Sequence, residues 1–265
     1  MRSLPAAVLA SLVLCGASRT AGAAEDGPVR ELEPVHVNAM RDPEVRKYKA
    51  ILAGLDAFEK HHKLAPAVDR LVFRLTARKP DASPAPLAAR LVGDGGFAQA
   101  IPIDGDGRFD VPRSEAAEDA NSELELNRKR RAYRIAPDIR TPGLPVNQRR
   151  LGDLRLECKV MIAIAKEEIP FFWVMTINTI LLTTDWCSSF NDREKAVFSF
   201  DADAPVTAAQ LREGDRVRDL KVRGSSFDVP IGVEWSDDAV VELTYAEPAA
   251  GALTGTAGET PRTAP

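Results

Sequence analysis

The sequence predicts a mainly β protein, an antiparallel β-sandwich that is either one large unit or two small ones, with an N-terminal amphipathic helix. Three observations support this prediction. Short apolar or alternating runs recur along the chain, turns rich in Asp and Gly separate many of them, and only one segment has a clear helical period. The chain has no evident internal repeat, so each region carries its own pattern.

Residues 1–23 have the three regions of a cleavable secretory signal peptide. Arg2 supplies a positive charge, residues 4–15 are apolar, and residues 21–23 form a small-x-small pattern. We therefore predict cleavage between Ala23 and Ala24 and a secreted or periplasmic location in a bacterium. The apolar run is shorter than the roughly 20 residues of a membrane-spanning helix, so no transmembrane span is expected after cleavage. A lipoprotein acylated at Cys15 is the alternative.

Residues 24–66 form the N-terminal segment, and their main feature is a predicted helix over 43–61. Asp42 suits the N-cap position and Pro43 suits the first position of the helix. From Val45 to Phe58 apolar residues recur at spacings of three and four, which gives one apolar stripe. Such a stripe needs a partner, and we expect the helix to pack on a sheet.

Residues 67–112 are predicted to form β-hairpins in a sandwich. Strand-like runs there are separated by turns at 93–96 and 104–107, which are rich in Asp and Gly. Residues 113–131 are mostly polar and charged, and we interpret them as a charged linker with either a short helix or an exposed loop.

Residues 132–246 form a second β-rich region. A strand-like segment over 154–165 includes a long apolar run, Val160 to Ala165, and residues 170–184 are an apolar stretch without charge. Their β-branched residues favour buried strands, although periodicity leaves a buried helix open. Residues 207–210 match a capping box and predict one helical turn. Residues 247–265 have almost no large apolar side chains and are interpreted as a disordered tail.

Two stretches resemble known families. Residues 101–112 resemble the DxDGRFxLP hairpin of carboxypeptidase-regulatory-like domains, which are small transthyretin-like β-sandwiches common in secreted bacterial proteins. The resemblance implies a non-catalytic spacer, adhesion or interaction module. Residues 32–39 resemble the short extended box of TonB-dependent receptors, which pairs with an energy-coupling protein. The chain lacks the strands of a receptor barrel, so an ordinary edge strand is the alternative there.

Residue types that support catalysis or metal binding are sparse. Of the three histidines, His61 and His62 are adjacent and cannot share a metal on one helix face. The motifs HExxH, GxSxG and SxxK are absent, and Ser188 and Ser189 have no histidine near them in sequence. No catalytic residue and no cofactor is predicted.

A calcium site is the one metal hypothesis that the sequence raises. Asp104, Asp106 and Asp110 bring three carboxylates close together, and calcium prefers oxygen ligands. The order of an EF-hand loop fails, because Arg108 occupies its fifth position. The alternative is a turn between two strands in which glycine supplies a positive φ.

Cysteine usage predicts a disulfide. Signal cleavage removes Cys15 and leaves Cys158 and Cys187, an even number in an oxidising compartment. Closing this loop would stabilise the fold by roughly 3–4 kcal/mol in the chain-entropy model. Two separate buried thiols are the alternative.

Charge and composition restrict the partners. The formal net charge is −4, which argues against nucleic acid, and the basic run at 128–131 follows acidic residues. We predict a non-catalytic interaction or assembly module of the envelope with an unidentified envelope protein or glycan as partner. The alternatives are a hydrolase of peptidoglycan, polysaccharide or peptide with dispersed active-site residues, and a carrier of a small apolar ligand. Residues that would line the carrier's pocket are Phe171, Phe172, Trp173, Met175, Ile177, Ile180 and Leu181.

Overall fold

The structure is a computed structural model, which describes residues 42–79, 85–187 and 197–247. Within these ranges it has fourteen strands, all paired antiparallel, and four α-helices. These numbers of strands and helices fit a mainly β class. The predicted cleavage site at Ala23 and Ala24, the box at 32–39 and the predicted tail beyond Glu247 lie outside the described residues.

The four helices lie among the first eight described strands and directly after them, and six further strands follow the last helix. The α-helices are α1 (Tyr48–His61), α2 (Glu115–Asp119), α3 (Leu151–Glu168) and α4 (Phe171–Leu181). The strands are β1 (Pro43–Lys47), β2 (Phe73–Ala77), β3 (Ala89–Val92), β4 (Ala98–Ile101), β5 (Arg108–Phe109), β6 (Glu123–Lys129), β7 (Tyr133–Pro137), β8 (Gln148–Arg150), β9 (Phe198–Asp201), β10 (Val206–Glu213), β11 (Arg216–Leu220), β12 (Val222–Arg223), β13 (Ser226–Val229) and β14 (Val240–Tyr245).

Two sheets and two helices surround the first hydrophobic core. Sheet I has the strand order β1-β6-β3-β4, and sheet II has the order β5-β2-β7. Helices α1 and α3 pack along each other, and Gly54 makes this close approach possible, because a Cβ there would lie 2.9 Å from Cγ1 of Ile164. The buried side chains of this core include Tyr48, Ile51, Phe58, Phe73, Leu91, Leu124, Leu126, Leu156 and Val160.

The other two sheets contribute to the second core. Sheet III has the order β11-β10-β14-β8, and sheet IV has the order β12-β13-β9. Helix α3 belongs to this core as well, because its side chains point to both sides. The buried side chains of the second core include Leu151, Leu154, Cys158, Phe200, Leu211, Phe227, Val229, Trp235, Val241 and Leu243.

The predicted first residue of the N-terminal helix, Pro43, is wrong. Residues 43–47 form strand β1, which pairs with β6, and α1 begins only at Tyr48. Val45, which the sequence pattern places in the apolar stripe, is exposed, whereas Glu44 is buried and its carboxylate accepts the N–H of Arg131. The free edge of β6 offers hydrogen bonds to this segment, and they outweigh the helical signal of Asp42 and Pro43.

The predicted charged linker over 113–131 is wrong for its second half, because residues 123–129 form a strand of sheet I, whereas the short helix that the prediction allowed is α2. Strand β6 lies inside the sheet between β1 and β3, and its Leu124 and Leu126 are buried. Glutamates alternate with these leucines, which is the period of two of a half-buried strand, although the many charges of the segment favour a linker. Glu125 bonds to Arg90 on the neighbouring strand, at 3.1 Å.

The two turns rich in Asp and Gly have different roles. The turn at 93–96 joins β3 and β4, which pair as the predicted hairpin. The turn at 104–107 leads from β4 in sheet I to β5 in sheet II, so these strands are not a hairpin. Gly107 has a φ of 76°, and a Cβ on it would lie 3.1 Å from the carbonyl oxygen of Leu75. Both observations favour glycine at this position.

The strands predicted over 154–165 and 170–184 are helices α3 and α4. Helix α3 has apolar residues on two sides, since Leu156 faces the first core and Leu154 faces the second, and this blurs its period of 3.6. The helical turn predicted at 207–210 is part of β10, which is hydrogen-bonded to strands on both sides. Strand β7 pairs with β2, so the predicted boundary at 131/132 is not a boundary between sheets.

Candidate interaction site

A short break separates α3 from α4 and changes the direction of the chain. Ile169 is extended, with φ −96° and ψ 151°, and Pro170 precedes the first residue of α4. Proline disfavours a helical conformation in the residue before it, which explains why α3 ends here. Helix α4 ends at Leu181, and the next residue, Leu182, has a φ of 54° in the left-handed region. The chain then returns toward α3.

A disulfide joins the end of this return to the middle of α3. The bond links Cys158 and Cys187, both buried, and their Cα atoms are 6.1 Å apart. The sequence predicts this pairing, and the structure has it. The 29-residue separation means that α4 lies inside a covalently closed loop whose base belongs to the second core.

Polar contacts hold the same base. Lys159 forms an ion pair with Asp185, and Lys166 donates a hydrogen bond to the carbonyl oxygen of Thr184. The Lys166 ammonium also lies 5.0 Å from the ring centroid of Trp186, which is buried. Burial lowers the pKa of Lys166. The segment after α4 is thereby attached to α3 at several points.

Helix α4 itself is apolar and exposed. No charged residue lies between Glu168 and Asp185. Large apolar side chains of monomeric proteins rarely form such an uncovered group. The side chains in this group are between 37% and 91% exposed, and they are Phe171, Phe172, Trp173, Met175, Ile180, Leu181 and Leu182.

The polar side chains of α4 form hydrogen bonds within the protein. Thr176 Oγ1 donates to the carbonyl oxygen of Phe172 at 2.9 Å, and Thr179 Oγ1 donates to that of Met175 at 3.0 Å. Asn178 Oδ1 accepts the indole N–H of Trp186 at 2.7 Å. These three residues therefore need fewer partners from solvent than their types suggest.

An ionic network lies where α3 meets the strands of both halves of the described chain. Arg149 and Glu157 form a buried ion pair, and the same Glu157 oxygen accepts the N–H of Ile139 at 2.8 Å. Asp138 accepts hydrogen bonds from Arg108 at 2.8 Å and from Arg140 at 2.7 Å. Sequence patterns predict none of these residues as a site, because strand, loop and helix bring them together from different parts of the chain.

Burial and neighbouring charges shift the pKa values of the carboxyl groups in this network. Burial raises the pKa of Glu157 to about 7, although the Arg149 guanidinium works in the opposite direction. Burial also raises the pKa of Asp153, whose carboxylate accepts two hydrogen bonds from Thr141. For Asp138 burial acts the same way, but the charges of Arg140 and Arg149 outweigh it and hold its pKa below the usual range.

The network has little room for a substrate. The adjoining cavity measures about 30 Å³, which suits a water molecule. A larger cavity of about 220 Å³ lies between α1, α3 and sheet II, and Ile51, Phe73 and Met161 contribute to its lining. Pockets for drug-sized ligands start near 300 Å³, and two open surface pockets of about 440 and 450 Å³, both with several charged side chains in their lining, exceed this size. The apolar residues proposed for a carrier's pocket do not line the cavity of about 220 Å³.

The candidate calcium ligands form parts of a turn. The Asp104 carboxylate accepts the backbone N–H groups of Asp106 and Arg108, at 2.9 and 2.7 Å, and Asp106 pairs with the Arg108 guanidinium. Asp110 is exposed. Within the described ranges, no group of three or more His, Cys, Asp or Glu residues has an arrangement suited to a metal ion. Ser188 and Ser189 lie outside those ranges.

Sequence reasoning missed the exposure of α4. Its freedom from charge is visible in the sequence, but the same composition also suits a core element, and the sequence does not show which residues will cover it. Among the described residues, no helix has both the length and the apolarity needed to cross a membrane. Comparison of the chain with protein-family models, curated proteins and solved structures finds no match.

Proposed function

We propose that the chain is a non-catalytic, secreted or periplasmic protein of the bacterial envelope that acts as an interaction module through α4. The observation that carries this proposal is an uncharged, aromatic-rich helix that is exposed and covalently attached at its base. Docking is the function that such a surface supports best, because full burial of each large apolar side chain contributes about 1.5–3 kcal/mol.

The disulfide base favours docking because it limits the motion of α4 before binding. A closed loop loses less conformational entropy on association than a free segment of the same length. Cys187 lies only six residues after the end of α4, so the constraint acts close to the apolar surface. Helix α4 is thus presented as an ordered element.

Two further observations support the non-catalytic and envelope parts of the proposal. The most unusual ionisable group, Glu157, is buried beside a cavity of only about 30 Å³, so the network acts as a structural junction. A disulfide is typical of an oxidising compartment, which agrees with the secretory signal that residues 1–23 predict. The sandwich arrangement and the resemblance of residues 101–112 to carboxypeptidase-regulatory-like domains remain part of the proposal, and both are compatible with a module that binds.

The proposal is tested by sedimentation with the envelope. The full chain is produced with a tag in a bacterium that secretes it, and its share in the sedimented envelope fraction is measured for wild type and two variants. Ile180→Glu places a charge on α4, and Val146→Glu places the same charge on another apolar residue of similar exposure, 78% against 72%. We expect wild type and Val146→Glu to sediment with the envelope and Ile180→Glu to remain in the supernatant. Equal distribution of all three proteins would contradict the proposal.

A further inference from the structure

We infer that the partner of α4 is a lipid bilayer, into whose interface the helix inserts. This inference rests on the proposed function and names the partner of the same surface. Three features of α4 point to lipid: the directions in which its apolar side chains project, the state of its polar groups, and the charges at its base.

The exposed apolar residues of α4 project in several directions around its axis, and the side that carries Ile177 is half-buried. At about 100° per residue, Phe172, Trp173 and Leu181 lie about 100°, 200° and 280° around the helix axis from Phe171. All four are exposed. A groove in a protein, or a second copy of this chain, would cover one stripe of such a helix, whereas a fluid acyl phase covers every exposed direction.

Each polar side chain of α4 has a hydrogen bond within the protein, which lowers the cost of removing the helix from water. Unsatisfied hydrogen-bonding groups are costly in lipid, so inserted segments satisfy them internally. Thr176 and Thr179 donate to carbonyl oxygens one turn earlier, and Asn178 accepts from Trp186. The uncharged stretch from Ile169 to Thr184 includes the break before α4 and the turn after it. Insertion therefore brings no charged side chain of this segment into lipid.

The size of α4 suits insertion into one leaflet. Its eleven residues make it about 16 Å long, roughly half of the 30 Å hydrocarbon core. Trp173 lies near its start, and tryptophan is enriched at the interface between lipid and water. The helix is attached to the protein body by the Cys158–Cys187 disulfide, which keeps that body next to the membrane surface.

Charges at the base of α4 predict how binding depends on lipid and salt. Lys159 pairs with Asp185, Lys49 with Glu167 at 3.1 Å, and Arg46 with Glu168 at 2.5 Å. These three cations have acidic partners, and the Lys166 ammonium contacts the Thr184 carbonyl oxygen and the Trp186 ring instead, so the base does not form an extended basic patch for anionic headgroups. We therefore expect binding to zwitterionic vesicles that changes little between low and high salt.

Trp173 serves as the reporter in the experiment. The chain has three tryptophans; Trp173 is 54% exposed, whereas Trp186 and Trp235 are 8% and 6% exposed. The purified full chain, processed by its host, is titrated with phosphatidylcholine vesicles with and without brominated acyl chains. We expect a blue shift of the emission, quenching by the brominated lipid, and the same affinity at low and high salt.

Three variants make the result specific. We expect Ile180→Glu to lower the vesicle affinity roughly tenfold or more, because a charge replaces an inserted side chain. Val146→Glu keeps the wild-type affinity, and Trp173→Leu still sediments with vesicles but loses the spectral change. Near-ultraviolet circular dichroism and the thermal midpoint show whether Ile180→Glu keeps the wild-type fold.

The outcomes separate this inference from the proposed function. Wild type that neither sediments with phosphatidylcholine vesicles nor shifts its emission overturns the lipid inference. If envelope sedimentation still depends on Ile180 in that case, the interaction function stands with a protein partner. A concentration-dependent dimer that Ile180→Glu abolishes would identify a second copy instead. If Ile180→Glu changes neither envelope sedimentation nor vesicle binding, both proposals are overturned.

Discussion

Helices α3 and α4 follow each other in the chain, are both rich in apolar residues, and have opposite environments. Helix α3 passes between two hydrophobic cores, and Leu151, Leu154 and Leu156 are fully buried. Helix α4 begins three residues after α3 ends and exposes nearly every large side chain. The comparison shows that apolarity determines that a helix must be covered, whereas the surrounding elements determine what covers it.

The more polar of the two helices is the buried one. Helix α3 carries Asp153 and Glu157 into the interior, where Thr141 and Arg149 satisfy them, while α4 has no charge. Buried charges need partners, and α3 obtains them from a loop and from strand β8. The ionic network thus attaches α3 to its surroundings. Among the described residues, α4 has no comparable ionic attachment along its length.

The largest expected effect comes from breaking the ion pair that anchors α3. Arg149→Met leaves Glu157 buried without its cation, which should lower the free energy of unfolding by about 3–5 kcal/mol at a pH above about 8, where the wild-type Glu157 is ionised. Urea denaturation measures the change. Arg113→Met is the matched control, because Arg113 pairs with Asp56 and Glu59 on the surface and should cost at most about 1 kcal/mol. Equal losses in both variants would contradict the anchoring role.

Removal of the disulfide tests the link between the two helices. The double variant Cys158→Ala/Cys187→Ala should lose roughly 3–4 kcal/mol, because the unfolded chain regains the entropy of a loop of about 30 residues. Urea denaturation of oxidised wild type and of the variant gives the difference. Wild type with reductant should approach the variant. A variant as stable as oxidised wild type would refute the contribution of the bond.

Truncation of a buried side chain within α3 should give the next-largest loss of stability. Leu156→Ala should lower the free energy of unfolding by about 3 kcal/mol, within the usual range of 2–5 kcal/mol for such buried sites. Helical propensity changes little, since alanine and leucine are both good helix formers. The urea midpoint measures the effect. A change below about 1 kcal/mol would mean that α3 is not part of the first core.

The raised pKa of Glu157 predicts how stability depends on pH. Its pKa rises from 4.5 to about 7 on folding, so the folded state binds more protons between these values. The stability that Glu157 contributes is therefore complete below pH 4.5 and is lost as the pH rises through about 7, on the order of 3 kcal/mol in total. The difference in unfolding free energy between wild type and Glu157→Gln isolates this group. A pH-independent difference would contradict the shift.

A truncation in α4 should have the smallest effect on stability, and it can be compared directly with the truncation in α3. Ile180→Ala removes about as much apolar volume as Leu156→Ala, but Ile180 is 72% exposed. We expect the free energy of unfolding to change by less than about 0.5 kcal/mol. The same variant should weaken vesicle binding. A loss of several kcal/mol would show that α4 is packed within the fold and would also remove the basis of the interaction surface.

Local patterns predicted several elements well. The turn at 93–96 joins β3 and β4 as expected, and Cys158 pairs with Cys187. The predictions were wrong where pairing with a neighbouring strand outweighed the local sequence signal for a helix. Residues 43–47 adopt the extended form that β6 offers, and residues 207–210 belong to a strand between two others. In both places the hydrogen bonds of a sheet prevailed over a helix-start motif.

Local sequence features predicted the cysteine pairing, many of the short strands, the turn at 93–96 and the uncharged stretch before Asp185. These features depend on spacing, on backbone preference or on composition, which are local properties. The contact of Arg149 with Glu157, the place of β6 inside a sheet and the exposure of α4 depend on how distant parts of the chain assemble. The physical reason is that burial and ion pairing are properties of the surroundings, which assemble from residues far apart in the chain.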